Sequence, residues 1–261
     1  MKNDHTTYFD SNNYLYNPTS KFGIYLIHGF SSTTYEIKKI AKYLSDYGYY
    51  VKADNLPGHA TSIEDCNATT HQEWCTFLEQ KIAYMYTKCD KVIVIGVSMG
   101  GVLALHLATV FPLDGVIAAS SLFKFKNEFN VRVLARLFHR FKPSIKKSSN
   151  FNPDQLKLIN RTFYGYPEYP TSALNEMRKL VDKVKPKLYT IKSPVLLIHA
   201  KHDCTALFYN YKIISDLLES DDITSLILDE AGHNVFDTET NDKKKIFIEV
   251  LQFSKRIFND K

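Results

Sequence analysis

Short apolar, β-branched runs recur along the 261-residue chain at 22–27, 49–53, 91–95, 114–119, 194–200 and 223–228. Each is five to seven residues long, the length of a buried strand. Helical patterns lie between them. Thr33 and Glu36 have the spacing of a capping box, and Ile37, Ile40, Ala41 and Leu44 then share one helical face that ends near Gly48. Thr70 and Glu73 repeat the signature ahead of Trp74, Phe77, Leu78 and Met85. Phe247, Val250, Leu251 and Phe253 mark a last helix. Strands alternating with helices of this length predict a parallel, doubly wound α/β sheet.

The rhythm breaks once. Residues 121–192 hold no convincing buried strand, only loops and helical patterns at 130–141 and 172–184. An excursion after a strand of an α/β sheet usually lies over the carboxyl ends of the strands, where ligands bind. The expected organisation is therefore a core of residues 1–120 and 193–261 with a helical lid at 121–192. Charge draws the same boundary: the excursion carries 16 Lys and Arg against 5 Asp and Glu, a balance of +11, and the rest balances at −6. Within 128–141, Leu134, Leu137, Phe138 and Phe141 share one helical face, and Arg132, Arg136 and Arg140 recur on another. The simpler reading puts the apolar face on the core and the arginines in water. The sharper one sets the arginines against an anionic surface, such as acidic lipid.

Composition adds exclusions. No run of about 18 apolar residues exists to span a membrane. Residues 1–17 are polar and aromatic, without the basic-then-apolar start of a secretory signal. Cys66, Cys75, Cys89 and Cys204 form no C-x-x-C pair and no metal-like spacing with histidine, so free thiols in a reducing cytoplasm are expected.

Chemistry concentrates at Gly96-Val97-Ser98-Met99-Gly100, between a predicted strand and a predicted helix. A serine between glycines at a strand-to-helix turn takes a strained backbone with its hydroxyl exposed above the sheet, and a Cβ at Gly96 or Gly100 would collide with neighbouring elements. A serine hydroxyl needs a base, and the base an orienting acid. Five of the nine histidines follow Ser98. His106 lies on the following helix, His139 in the lid, His199 within a strand, and His202 just before a candidate acid. Only His233 falls in a loop between the last strand and the last helix, which makes it the candidate base. Asp203, at the end of the 194–200 strand, is the candidate acid, with Asp229 as alternative. Backbone donors for an oxyanion are expected from Met99, at the helix start, and Phe30, in the loop His28-Gly29-Phe30 after the first strong strand. Gly29 lets that loop pass close to a substrate, and the His28 ring is expected to pin it.

These residues, with Pro57-Gly58-His59 and Gly232-His233, resemble the α/β-hydrolase family, and within it the small-lid bacterial carboxylesterases and monoacylglycerol-lipase-like enzymes. The likeness covers roughly residues 22–119 and 193–258; the lid matches only in position and size. It implies a mostly parallel α/β-hydrolase sheet with the lid inserted after the sixth core strand. It further implies hydrolysis of short- to medium-chain acyl esters or monoacylglycerols through an acyl-enzyme on Ser98, without cofactor or metal. The implied partner is a small-molecule ester and not a nucleic acid, with weak association to an anionic membrane surface through the lid as the sharper reading. Thioesterase, amidase, carbon–carbon hydrolase or acyltransferase chemistry on the same triad, and a non-catalytic binding protein, are the alternatives. Two departures stand out: Gly58-His59-Ala60 replaces the usual Gly-His-Gly, and His199 stands where many relatives have glycine. Phe123, Phe125, Phe129, Phe163, Tyr164, Tyr166 and Tyr169 offer apolar surface for an acyl chain, or glue between lid and core.

Overall fold

A computed structural model describes residues 12–129, 131–132, 142–147 and 165–259. Its seven-stranded sheet comprises β1 (Tyr14–Tyr16), β2 (Phe22–Ile27), β3 (Tyr50–Ala53), β4 (Lys91–Val97), β5 (Gly115–Ala119), β8 (Val195–Ala200) and β9 (Ile223–Leu228), in the order β1-β3-β2-β4-β5-β8-β9. Every pairing is parallel except that of β1 with β3. The short antiparallel edge strand β1 is absent from the sequence expectation, as is a two-stranded sheet of β6 (Ser144–Lys146) and β7 (Glu168–Pro170) in the excursion. Among the described residues the strand before the excursion is the fifth, where the expectation made it the sixth.

The double winding follows from strand alternation. Ile24, Leu26, Ile93, Ile95 and Ile117 point to one face, where α1 (Lys38–Ser45) and the last helix, α7 (Asp242–Phe258), bury Ile40, Leu44, Val250 and Phe253 against them. Tyr25, Ile27, Val92, Val94 and Val116 point to the other, beneath α3 (His71–Tyr86) and α4 (Met99–Val110). The short helix α2 (Ile63–Ala68) precedes α3, and α6 (Tyr209–Leu217) lies between β8 and β9. Thr70 accepts from Glu73 N–H while the Glu73 carboxylate takes Thr70 N–H, the expected capping box on α3.

The other predicted box fails. Thr33 caps a short 3-10 turn (Thr34–Ile37), but Glu36 turns inward and is buried. The helix predicted at 172–184 is α5 (Thr171–Val184), whose Ala173, Met177, Leu180 and Val181 join the same apolar cluster as α3 and α4. Phe123, Phe125 and Tyr166 are buried in that cluster, whereas Phe129 is exposed. Arg132 pairs with Glu128 and with Asp182 of α5. Phe163, Tyr164, His139, Arg136 and Arg140 lie outside the described residues, as do Leu134, Leu137, Phe138 and Phe141.

Candidate active site

β4 delivers the chain into a turn in which Ser98 adopts φ 57° and ψ −118°. A non-glycine residue there carries about 1–3 kcal/mol of strain, so the surroundings must hold it. Ser98 N–H donates to the Ala119 carbonyl at 2.8 Å, and the Ser98 carbonyl accepts from Gly101 N–H at 3.0 Å. A Cβ on Gly96 would stand 2.0 Å from the Gly100 carbonyl oxygen, and one on Gly100 would stand 2.2 Å from that of Ile27. Strand, turn and helix therefore meet backbone to backbone. Met99 opens α4, where amides have no intrahelical acceptor and the helix dipole is positive.

The loop after β9 carries His233 back to this turn. Its Nε2 lies 3.0 Å from Ser98 Oγ, and its Nδ1 2.7 Å from Asp203 Oδ2. Asp203 is buried at the end of β8, and its other oxygen accepts Thr205 N–H at 2.8 Å and Ala206 N–H at 2.9 Å. Burial alone would raise its pKa; the His233 hydrogen bond, the His233 charge and the two amides outweigh that, and the carboxyl is held below its ordinary range. Asp229, the alternative acid, is exposed and pairs with Lys201 at 2.5 Å, so the structure brings Asp203 and not Asp229 to His233. His106 of α4 lies against Glu79 of α3 at 2.9 Å and is not brought to Ser98. His199 is buried, and its Nε2 lies 2.7 Å from the Ala206 carbonyl, bracing the loop that presents Asp203.

On the opposite side of Ser98 lies the His28-Gly29-Phe30 loop. Gly29 comes so close that a Cβ on it would stand 3.3 Å from Ser98 Cβ. Two buried histidines shape this loop. His28 Nε2 accepts Leu56 N–H at 3.1 Å with Nδ1 2.9 Å from the Gly29 carbonyl; His59 Nε2 accepts Ser31 N–H at 3.2 Å with Nδ1 3.2 Å from the Pro57 carbonyl. In each, one nitrogen accepts and the other donates, which only a neutral ring can do. Desolvation lowers their pKa values, to about 4 for His28 and about 3 for His59. The departure at Ala60 is paid in conformation: alanine takes φ 59°, a left-handed state that costs an L-residue about 1–2 kcal/mol.

Two contributors lie beyond the sequence expectation, and a third, Tyr166, is expected there only as apolar surface for an acyl chain or as glue between lid and core. Glu36 Oε2 accepts Gly29 N–H at 2.7 Å. Asp242, at the start of α7, accepts Glu230 and Ala231 N–H at 2.7 and 2.9 Å and so fixes the approach to His233. Tyr166 N–H donates to the Ser31 carbonyl at 2.8 Å, and its hydroxyl donates to the Gly58 carbonyl at 2.8 Å, tying the returning excursion to the loop beside Ser98. Each meets a backbone group whose need for a partner arises only in the folded turn.

The sequence profile of the family described as serine aminopeptidase, S33, matches residues 19–241. The chain belongs to this α/β-hydrolase family. It is 24% identical over 237 residues to a carboxylesterase of Bacillus subtilis, covering 90% of this chain and 92% of the relative. It is 29% identical over 182 residues to a thermostable monoacylglycerol lipase of Bacillus sp. strain H-257, covering 69% and 70%. A solved structure of a metagenome-derived lipolytic enzyme superposes with a TM-score of 0.83 at 22% identity, covering 94% of this chain and 98% of that one, which fixes the α/β-hydrolase fold.

Proposed function

We propose that this S33-family hydrolase cleaves carboxylic esters through an acyl-enzyme on Ser98. The carrying observation is the chain Ser98–His233–Asp203, joined at 3.0 and 2.7 Å on the strained turn. His233 Nε2 takes the Ser98 proton as Oγ attacks the ester carbonyl. The Phe30 and Met99 amides receive the oxyanion, and His233 returns the proton to the leaving alcohol. Water then repeats the sequence on the acyl-enzyme and releases the acid. Asp203 keeps the His233 proton on Nδ1 and steadies the imidazolium.

Residues 121–192 act as the lid in this reading. Tyr169, stacked on Phe30 beside the site, suits short- to medium-chain acyl groups or monoacylglycerols. The four unpaired thiols fit a reducing, cytoplasmic setting. Weak attraction of the lid's excess cations to anionic lipid is the finer proposal; vesicle sedimentation that is equal for neutral and anionic lipid would remove it.

The family's description as an aminopeptidase favours a second reading, amide hydrolysis by the same residues. One experiment separates them: label with a fluorophosphonate, map the adduct, and compare p-nitrophenyl esters, monoacylglycerols, acyl-thioesters and aminoacyl amides. Ser98 labelling with ester turnover supports the proposal; labelling elsewhere sinks it, and preference for amides selects the second reading.

A further inference from the structure

The Gly29 amide at the end of β2 is buried and needs an acceptor, and Glu36 supplies one. That solution places a carboxylate beside the reacting serine: Glu36 Oε2 and Ser98 Cβ both lie within 3.3 Å of the point where a Gly29 Cβ would stand. On the proposed mechanism an oxyanion forms next to Phe30, one residue from Gly29. A negative charge at Glu36 favours the His233 imidazolium and opposes that oxyanion.

The excursion supplies a cation. Lys147 follows β6, which pairs with β7 so that Ile145 faces Tyr169. Its ammonium lies 5.0 Å from the centroid of the Tyr169 ring, and that ring stacks on Phe30 at 6.2 Å with planes 15° apart. Lys147 is half-buried. Desolvation draws its pKa down to about 7, and the charges of Glu36 and Cys66 act against that fall. Burial raises the Glu36 pKa, opposed by the Gly29 amide, His233 and Lys147 among others. Through the Tyr169 ring the lysine stands next to Phe30, the neighbour of the Gly29 amide that Glu36 holds.

We propose that Lys147 is the counter-charge to Glu36, a positioning residue by which the β6–β7 lid sheet completes the electrostatics of the Phe30 oxyanion site. The inference rests on the acyl-enzyme reading above. With Lys147 seated, Glu36 holds Gly29 without penalising the oxyanion. Without Lys147, the Glu36 charge stands uncompensated next to the forming oxyanion.

The test is a double-mutant cycle on ester hydrolysis with Lys147→Met, Glu36→Gln and the pair. Glu36→Gln keeps an oxygen for Gly29 N–H but removes the charge. Lys147→Met is expected to lower kcat about tenfold or more with little change in KM. Adding Glu36→Gln should recover most of that loss, and Lys147→Arg, which retains a charge, should stay within a few fold of wild type. Thermal melts identify a Lys147→Met protein that fails to fold; in that case Lys147→Gln and Lys147→Arg carry the comparison. Losses that simply multiply in the double variant, a change confined to KM, or an inactive Lys147→Arg with an unchanged melt would overturn the proposal. Fluorophosphonate labelling of wild-type Ser98 keeps the two failures apart: absent labelling refutes the acyl-enzyme reading, whereas normal labelling without rescue refutes only the role of Lys147.

Discussion

His28 and His59 make the loop beside Ser98 sensitive to acid, and the sign can be worked out. Both rings are neutral in the fold, with pKa values lowered from the ordinary 6.5 to about 4 and about 3. The unfolded chain therefore binds more protons below pH 6.5, so stability is complete above that pH and drains away as pH falls towards the folded values. At pH 5 each histidine is 1.5 units below its unfolded pKa, which corresponds to about 2 kcal/mol apiece and about 4 kcal/mol for the two. Against a typical total of about 5–15 kcal/mol this is a large loss. Glu36, with a raised pKa, works in the opposite direction and offsets part of it.

The measurement is urea unfolding at pH 7.5 and pH 5 for wild type and His59→Gln. His28 and His59 together should contribute about 4 kcal/mol to the wild-type change between the two conditions. The variant starts lower, because Ser31 N–H loses its imidazole acceptor, but should lose about 2 kcal/mol less than wild type on acidification. The comparison isolates the histidine, since Glu36 and every other group titrate in both proteins. An acid loss of equal size in the variant would refute the argument that His59 is held neutral. Because these rings carry the Gly29–Ser31 loop, ester turnover at pH 5 should fall before global unfolding does.

Ser98→Ala and His233→Ala should each lower kcat by about 10⁴- to 10⁶-fold with the double variant little worse, because the residues act as a unit; additive losses in steady-state assays would contradict that. Gly100→Ala should cost at least about 1–3 kcal/mol in denaturant melts and abolish fluorophosphonate labelling, since its Cβ would meet the Ile27 and His28 carbonyl oxygens at 2.2 and 2.6 Å. Asp242→Ala should leave the fold intact by circular dichroism yet reduce kcat/KM about tenfold or more, by freeing the Glu230 and Ala231 amides that set His233. Titration with a disulfide reagent should find one fast thiol in the native protein, Cys204, and four after unfolding; Cys66 and Cys75 are buried, and burial pushes them up to about 12 and about 11.

Sequence reasoning reaches the residues whose signal is local. Ser98 is legible because its turn demands glycines two residues away on either side, and His233 because a histidine between the last strand and last helix has few structural uses. The sheet is legible because its strands are apolar on both faces. Glu36 is misread for the same reason that Thr70 and Glu73 are read correctly. The capping-box spacing is a local rule, and at Glu36 a tertiary demand, the orphan Gly29 amide, takes the carboxylate away. β1 spans only three residues and leaves Leu15 exposed, too little pattern to detect. β6 and β7 pair across more than twenty intervening residues through polar and aromatic positions, so no periodicity announces them.

The excursion after β5 and the loop from His28 to Phe30 are one mechanical unit at their described contacts. Asn210 of α6 accepts Phe123 and Lys124 N–H at 2.8 and 2.7 Å, which fixes where the chain leaves the core. The return leg bridges Gly165 to Ser32, and Tyr166 bonds to both Ser31 and Gly58. Ser31 and Ser32 directly follow Phe30, whose ring Tyr169 covers. A displacement of the return leg therefore pulls on the peptide that follows the Phe30 amide, and on the proposed mechanism distances there govern how well an oxyanion is held. Arg132 works the same way on the outgoing side: paired with Glu128 and Asp182, it ties the start of the excursion to α5, which is itself packed into the core. This arginine serves the architecture of the excursion itself, and the proposed pull towards anionic lipid has to come from other cations.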